Sequence, residues 1–179
     1  MRFSYLAMFY IILCQPTYAF DLPGETPSRH NYTEAPAWKE SDNTLPAYPD
    51  EDTLLKLPIE HTQAFEYFID PASISVGDDD VVRYLILLRS RTGSKNVFFE
   101  GIRCETQEYK SYAFATGQQL HRLQSARWRL ASTSGSQRYR HELMKYFLCD
   151  SGSPLSYDTI MRRLRLEESG VHDPSDIFL

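Results

Sequence analysis

"VVRYLILLRSRTGSKNVFFEGIRCETQEYKSYAFAT", residues 81–116, is the stretch whose reading decides the fold. In its first ten residues Val82, Tyr84, Ile86 and Leu88 alternate with Val81, Leu85 and Leu87. Both faces are therefore apolar, as in a central strand covered on each side. Thr92-Gly93-Ser94 reads as a turn, so the neighbouring strand is antiparallel. Val97 to Cys104 and Tyr109 to Ala115 read as the next two strands, joined by Glu105-Thr106-Gln107-Glu108, a loop of hairpin length.

Toward the N-terminus, Gly77-Asp78-Asp79-Asp80 reads as a turn with a solvated tip. Before it Phe65 to Ile69 alternates as a strand; Pro71 stops it and Ile74 to Val76 resume it. Toward the C-terminus the period changes. Tyr139, Leu143, Tyr146 and Phe147 recur at helical spacing, which predicts a helix over Gln137 to Leu148 with Arg138, Arg140, Glu142 and Lys145 in solvent. A second helix opens at Ser156 as N-cap, with Leu155 and Ile160 as a hydrophobic staple and Asp158 near the positive dipole end. The sum is an α+β domain: a central antiparallel sheet of four to five strands with two C-terminal helices packed on one face.

The ends of the chain follow other rules. Arg2, the apolar run Phe3 to Leu13 and the small residues of Thr17-Tyr18-Ala19 fit a cleaved export signal over residues 1–19. Gln15 and Pro16 end the run well short of the roughly 20 apolar residues of a membrane span. No transmembrane anchor is expected after cleavage. Cys14 does not fit a lipidation site, because the bulky Leu13 precedes it. Residues 20–37 are rich in proline and polar groups and read as an extended or disordered leader, 38–167 as a single domain and 168–179 as a flexible tail. Trp38 and Leu45 to Pro49 are apolar enough to dock on that domain as a strap. Asn31-Tyr32-Thr33 matches a glycosylation acceptor, a pattern too short to decide anything.

Signal removal takes the three cysteines to two, Cys104 and Cys149. An even count in an oxidising compartment predicts that they pair. Closing a loop of that length contributes about 4 kcal/mol by chain entropy. A catalytic cysteine would instead need a free thiolate.

Charge is uneven. The leader and strap are acidic, whereas Arg122 to Arg165 holds nine Arg and Lys against three Asp and Glu. The two either attract one another or the basic part faces an anionic partner.

Catalytic motifs are scarce. His141-Glu142 begins a zinc-protease motif, but Lys145 stands where its second histidine belongs. The five histidines have no ligand spacing, Asp78 to Asp80 lacks the alternation of a calcium loop, and no nucleophile elbow is present. No metal, cofactor or catalytic residue is assigned. Glu66, Asp70 and Glu100 lie in or beside strands and give a competing reading, a periplasmic hydrolase with an acid/base carboxylate pair. A structural accessory subunit of an envelope assembly is a third.

The most distinctive segment is "HRLQSARWRL", His121 to Leu130, in which Arg122, Arg127 and Arg129 surround Trp128. Arginines grip phosphate or carboxylate bidentately. The bland alternative buries Trp128 and leaves its neighbours to solvate an edge.

The run "LPAYPDEDTLLKL", the stretch from Phe68 through "CETQEYKSYAF", Trp128 and "YFLC" together resemble the CNP-one-like (cryptic neisserial protein-like) family of exported proteobacterial proteins, over about Trp38 to Leu166. The resemblance implies a periplasmic or envelope location and brings no activity, cofactor or catalytic residue. The paired cysteines fit the family's pattern. The expected function is a non-catalytic module, periplasmic or secreted, that binds an envelope protein or an anionic envelope component through Arg122, Arg127, Trp128 and Arg129. Export argues against a nucleic-acid partner.

Overall fold

A computed structural model describes residues 37–59 and 64–168. The export signal, the glycosylation pattern, the leader up to Pro36 and the tail beyond Glu168 lie outside these residues.

The sheet is an antiparallel meander in strand order β1 to β6: β1 (Leu55–Leu57), β2 (Phe65–Val76), β3 (Val81–Ser90), β4 (Lys95–Arg103), β5 (Glu108–Thr116) and β6 (Gln119–Arg122). A two-residue strand, β7 (Arg129–Leu130), returns to pair with the start of β5, on the edge whose other end pairs with β6. Seven strands in this sheet replace the expected four to five. The additional ones, β1, β6 and β7, are two to four residues long, too short for alternation to mark them. Pro71 does not end β2 either: the strand continues through a register shift between Asp70 and Ser75, where a bulge accommodates a residue that cannot donate to the ladder.

One face of β3 carries Val82, Tyr84, Ile86 and Leu88, and the helices cover it. After a 3-10 turn at Gly135–Gln137, α1 (Tyr139–Leu143) runs into a π-helical stretch, Met144–Leu148. The expected single helix is thus three consecutive turn types. A small hairpin of β8 (Cys149–Asp150) and β9 (Ser153–Pro154) leads to α2 (Tyr157–Glu168). The Ser156 hydroxyl accepts from the Thr159 amide at 3.3 Å, the expected cap, and Leu155 packs against the buried cluster to which Ile160 belongs. A disulfide joins Cys104 at the end of β4 to Cys149, clamping the π-helical stretch onto the sheet.

The other face, with Leu85, Leu87, Val97, Phe99, Tyr112 and Ala113, is covered by the chain's own segment before β1. Leu45, Tyr48 and Leu54 pack against it. The expected strap therefore forms, and it explains why β3 is apolar on both sides.

Two charged pairs are buried, and both correct the sequence reading. Arg140, expected in solvent, is 5% exposed and lies between the rings of Tyr109 (4.1 Å) and Tyr139 (4.4 Å). Its guanidinium forks onto Glu100, itself fully buried on the helix face. Asp79, expected at a solvated tip, is 5% exposed and accepts both terminal nitrogens of Arg83 at 3.0 and 2.6 Å. Helical period and turn composition assign charges to water by default. Neither registers a counter-ion, which Arg140 receives from Glu100 on β4 and Asp79 from Arg83 four residues along.

Candidate functional site

The strap-side face is built from stripes in which basic residues bracket apolar ones. Arg83, Leu85, Leu87 and Arg89 alternate along β3; Lys95, Val97, Phe99, Gly101 and Arg103 along β4. The strap engages every one of these cations. Glu51 pairs with Lys95 at 2.6 Å and Arg89 at 3.5 Å, Arg83 donates to the Ser41 carbonyl at 3.3 Å, and Arg103 lies 4.2 Å from the Trp38 ring centroid. From β5, Lys110 pairs with Glu40 at 2.7 Å. From β6, Arg122 donates to the Asn43 carbonyl at 2.6 Å and to its side-chain oxygen at 3.1 Å.

These contacts concentrate where the strap begins. The Trp38 indole donates to the Asp79 carbonyl at 2.8 Å, and the Ser41 amide donates to the Asp79 carboxylate at 2.8 Å. The Trp128 indole donates to Glu40 at 3.1 Å. Edge-to-face contacts link Trp38 to Trp128 (5.9 Å) and Trp128 to Tyr112 (6.4 Å). Two glycines make room. A Cβ on Gly101 would meet the Tyr112 hydroxyl at 2.7 Å, and one on Gly77 would meet the Asp79 carboxylate at 2.3 Å. Beside this latch lies a cleft of about 400 Å³ lined by Glu40, Ser41, Asp42, Asn43, Lys110 and Arg122.

Burial alone would raise the carboxyls of Glu40 and Asp79, but hydrogen bonds and charge outweigh it and hold both below the usual range. For Glu40 the main opposing partner is Lys110; for Asp79 it is Arg83. Burial pushes the Tyr112 phenol well up. The Tyr112 hydroxyl stands between the Glu40 carboxylate and the Arg83 guanidinium and interacts with both.

A family model described as the CNP1-like family matches residues 33–165. The chain belongs to the CNP1-like family. No curated protein and no solved structure matches it. The match spans the strap, the whole sheet, the disulfide and most of α2, so the latch is part of the CNP1-like domain.

The residues singled out in sequence fall into two groups. Arg127 and Arg129 are exposed, flanking Trp128, and make no ion pair among the described residues. Arg122 is exposed but tied to Asn43. Trp128 is half-buried in the latch, between the two readings its sequence allowed. Lys110 and Arg83 were not singled out, though each is a charged residue inside a strand, and Asp79 was read only as part of a solvated turn.

The carboxylates of the hydrolase reading do not assemble. Glu100 aligns across the ladder with Tyr84 and Ser111 on the helix face, whereas Glu66 aligns with Arg89 and Asp70 with Leu85 on the strap face. Glu66 and Asp70 share a face but stand four residues apart on one strand, roughly 13 Å, and Glu66 is paired with Lys56 at 2.6 Å. The two-carboxylate mechanism needs roughly 5 to 9.5 Å. Glu100 accepts from Arg140, Tyr139 (3.2 Å), Tyr84 (3.4 Å) and Ser111 (2.8 Å), which is the satisfied arrangement of a structural buried charge. No group of His, Cys, Asp and Glu among the described residues could hold a metal ion.

Proposed function

We propose that this CNP1-like chain is a non-catalytic module of the cell envelope, periplasmic or secreted, that binds an envelope protein or an anionic envelope component. The observation that carries the reading is the pair of exposed arginines, Arg127 and Arg129, on a segment whose central Trp128 is anchored by Glu40. Anchoring matters because a guanidinium on a held segment loses less freedom on binding than one on a loose loop. Arg122 stands at the start of the same segment and extends the cationic edge. Export is supported by the signal-like start and by the Cys104–Cys149 disulfide, a bond that persists in oxidising compartments.

The test is pull-down of the purified, oxidised protein with envelope extracts, beside an Arg122→Ser/Arg127→Ser/Arg129→Ser variant. Retention lost in the variant at low salt, with its unfolding midpoint unchanged, supports the reading. Equal retention removes the arginines from the contact. Fractionation with intact-mass analysis tests the location. A periplasmic species beginning at Phe20 is expected, and a cytosolic full-length chain overturns it.

A further inference from the structure

The contacts beneath the strap's first residues are those of peptide recognition. Asp79 accepts a main-chain amide from Ser41, Arg83 donates to the Ser41 carbonyl, and Arg122 donates to the Asn43 carbonyl. Lys110 and the Trp128 indole both take the Glu40 carboxylate. Arg103 stacks on the Trp38 ring. Main-chain donors and acceptors are read by fixed side chains, and side-chain chemistry is read at two positions, an aromatic and a carboxylate two residues later. That division of labour characterises a groove for an extended peptide.

The occupant is only partly enclosed at this junction. Trp38 remains 37% exposed, and the open cleft runs alongside Glu40 to Asn43. Farther along, Leu45, Tyr48 and Leu54 are packed into the apolar cluster. The strap is thus held by apolar packing at its far end and by polar, partly open contacts at its near end.

We infer that the groove formed by Asp79, Arg83, Arg103, Lys110, Arg122 and Trp128 is a peptide-binding site occupied in cis by Trp38 to Asn43, and that its partner in trans is an extended acidic protein segment presenting an aromatic and a carboxylate at the same spacing. The inference narrows the proposed partner to a protein and rests on that reading only through Arg122. The cis segment competes with the partner, so apparent affinity is the intrinsic affinity multiplied by the fraction of chains whose groove is open.

The probe is a labelled synthetic peptide of residues 37–45, AWKESDNTL. Its binding is measured by fluorescence anisotropy to the full chain and to a Trp38→Ala/Glu40→Gln variant, whose receiving residues are intact. The variant is expected to bind at least about tenfold more tightly, the gain from vacating a groove that is closed nine times in ten. Lys110→Gln in the variant background should abolish the gain. Equal, undetectable binding to both chains, with the variant's unfolding intact, overturns the inference. So does equally effective competition by polyglutamate, which would make charge alone the determinant.

Should the variant unfold, saturating peptide on the unaltered chain must speed hydrogen exchange at the Ser41 amide; an unchanged rate overturns the proposal. Arg127→Ser/Arg129→Ser separates the two readings, since it should leave peptide binding intact while removing envelope retention.

Discussion

The two faces of this sheet are covered by different means. On the helix side twenty buried residues among those described form one cluster. The covering elements are locked by a disulfide, and the buried carboxylate there accepts from four side chains. On the strap side six buried residues form the core of the cover, and the junction at Trp38 to Asn43 is ionic and partly open. Apolar burial scales with area and needs no exact geometry. A polar latch gains only when every group is matched. One face is therefore built to stay shut and the other is held by contacts that another peptide can replace.

The comparison is broken most directly at Glu100. Glu100→Gln leaves Arg140 charged, enclosed by Tyr109 and Tyr139, with no counter-ion, and removing one partner of a buried pair costs about 3–5 kcal/mol. Denaturant unfolding should show that loss, and the double variant Glu100→Gln/Arg140→Met should recover much of it. If the single variant is neutral, the helix side is no more committed than the strap side. Cys104→Ser/Cys149→Ser should cost up to about 4 kcal/mol, read by the same measurement against the oxidised parent.

Changes at the latch should be smaller and local. Trp38→Ala is expected to lower global stability by about 1 kcal/mol, in the range for a side chain that is partly exposed, while shifting the emission of Trp128 to the red. Trp38 and Trp128 are the chain's two tryptophans and both sit in the latch, so fluorescence reads this junction directly. A loss as large as that for Glu100→Gln would erase the contrast between the faces. In the unaltered chain, amides of Ser41 to Asn43 should exchange faster than those of β3, through local opening rather than global unfolding.

The same contrast decides what could be read from the sequence. The helix side was legible: alternation marked β3, β4 and β5, the 3.6 period marked the helical region, and counting cysteines gave the disulfide. Trp38, Leu45 and Tyr48 announced the strap because isolated apolar residues in a proline-rich segment need somewhere to go. The two buried ion pairs, one in the latch and one under the helices, were not legible. Asp79 sits among turn residues and Arg140 on a helix stripe that composition assigns to water, and their burial depends on Arg83, four residues along, and on Glu100, brought in from β4. The sheet's extra strands escaped for a related reason: β7 is a strand only because β5 offers it two residues of unpaired edge.

The smallest effect tests the strap side at its other end. Asp70, in the bulge of β2, accepts the Ala72 amide at 3.0 Å but pairs with no cation among the described residues, and burial raises its carboxyl above the usual range. In the interval between its unfolded and folded values the native state holds more protons than the unfolded chain. Stability therefore falls as pH rises through that interval and stays lowered above it. Asp79 and Glu40 have the opposite sign. Their depressed carboxyls contribute stability that is complete above the unfolded value and is lost as pH falls toward the folded one. Asp70→Asn keeps an oxygen for the Ala72 amide and cannot ionise, so it should be slightly more stable than the parent at pH 7. That advantage should vanish below the unfolded carboxyl range, about pH 3.9. Unfolding curves for both chains from pH 3 to 7 provide the check: a gap that opens with rising pH places the cost in desolvated charge, and a constant gap places it in the hydrogen bond.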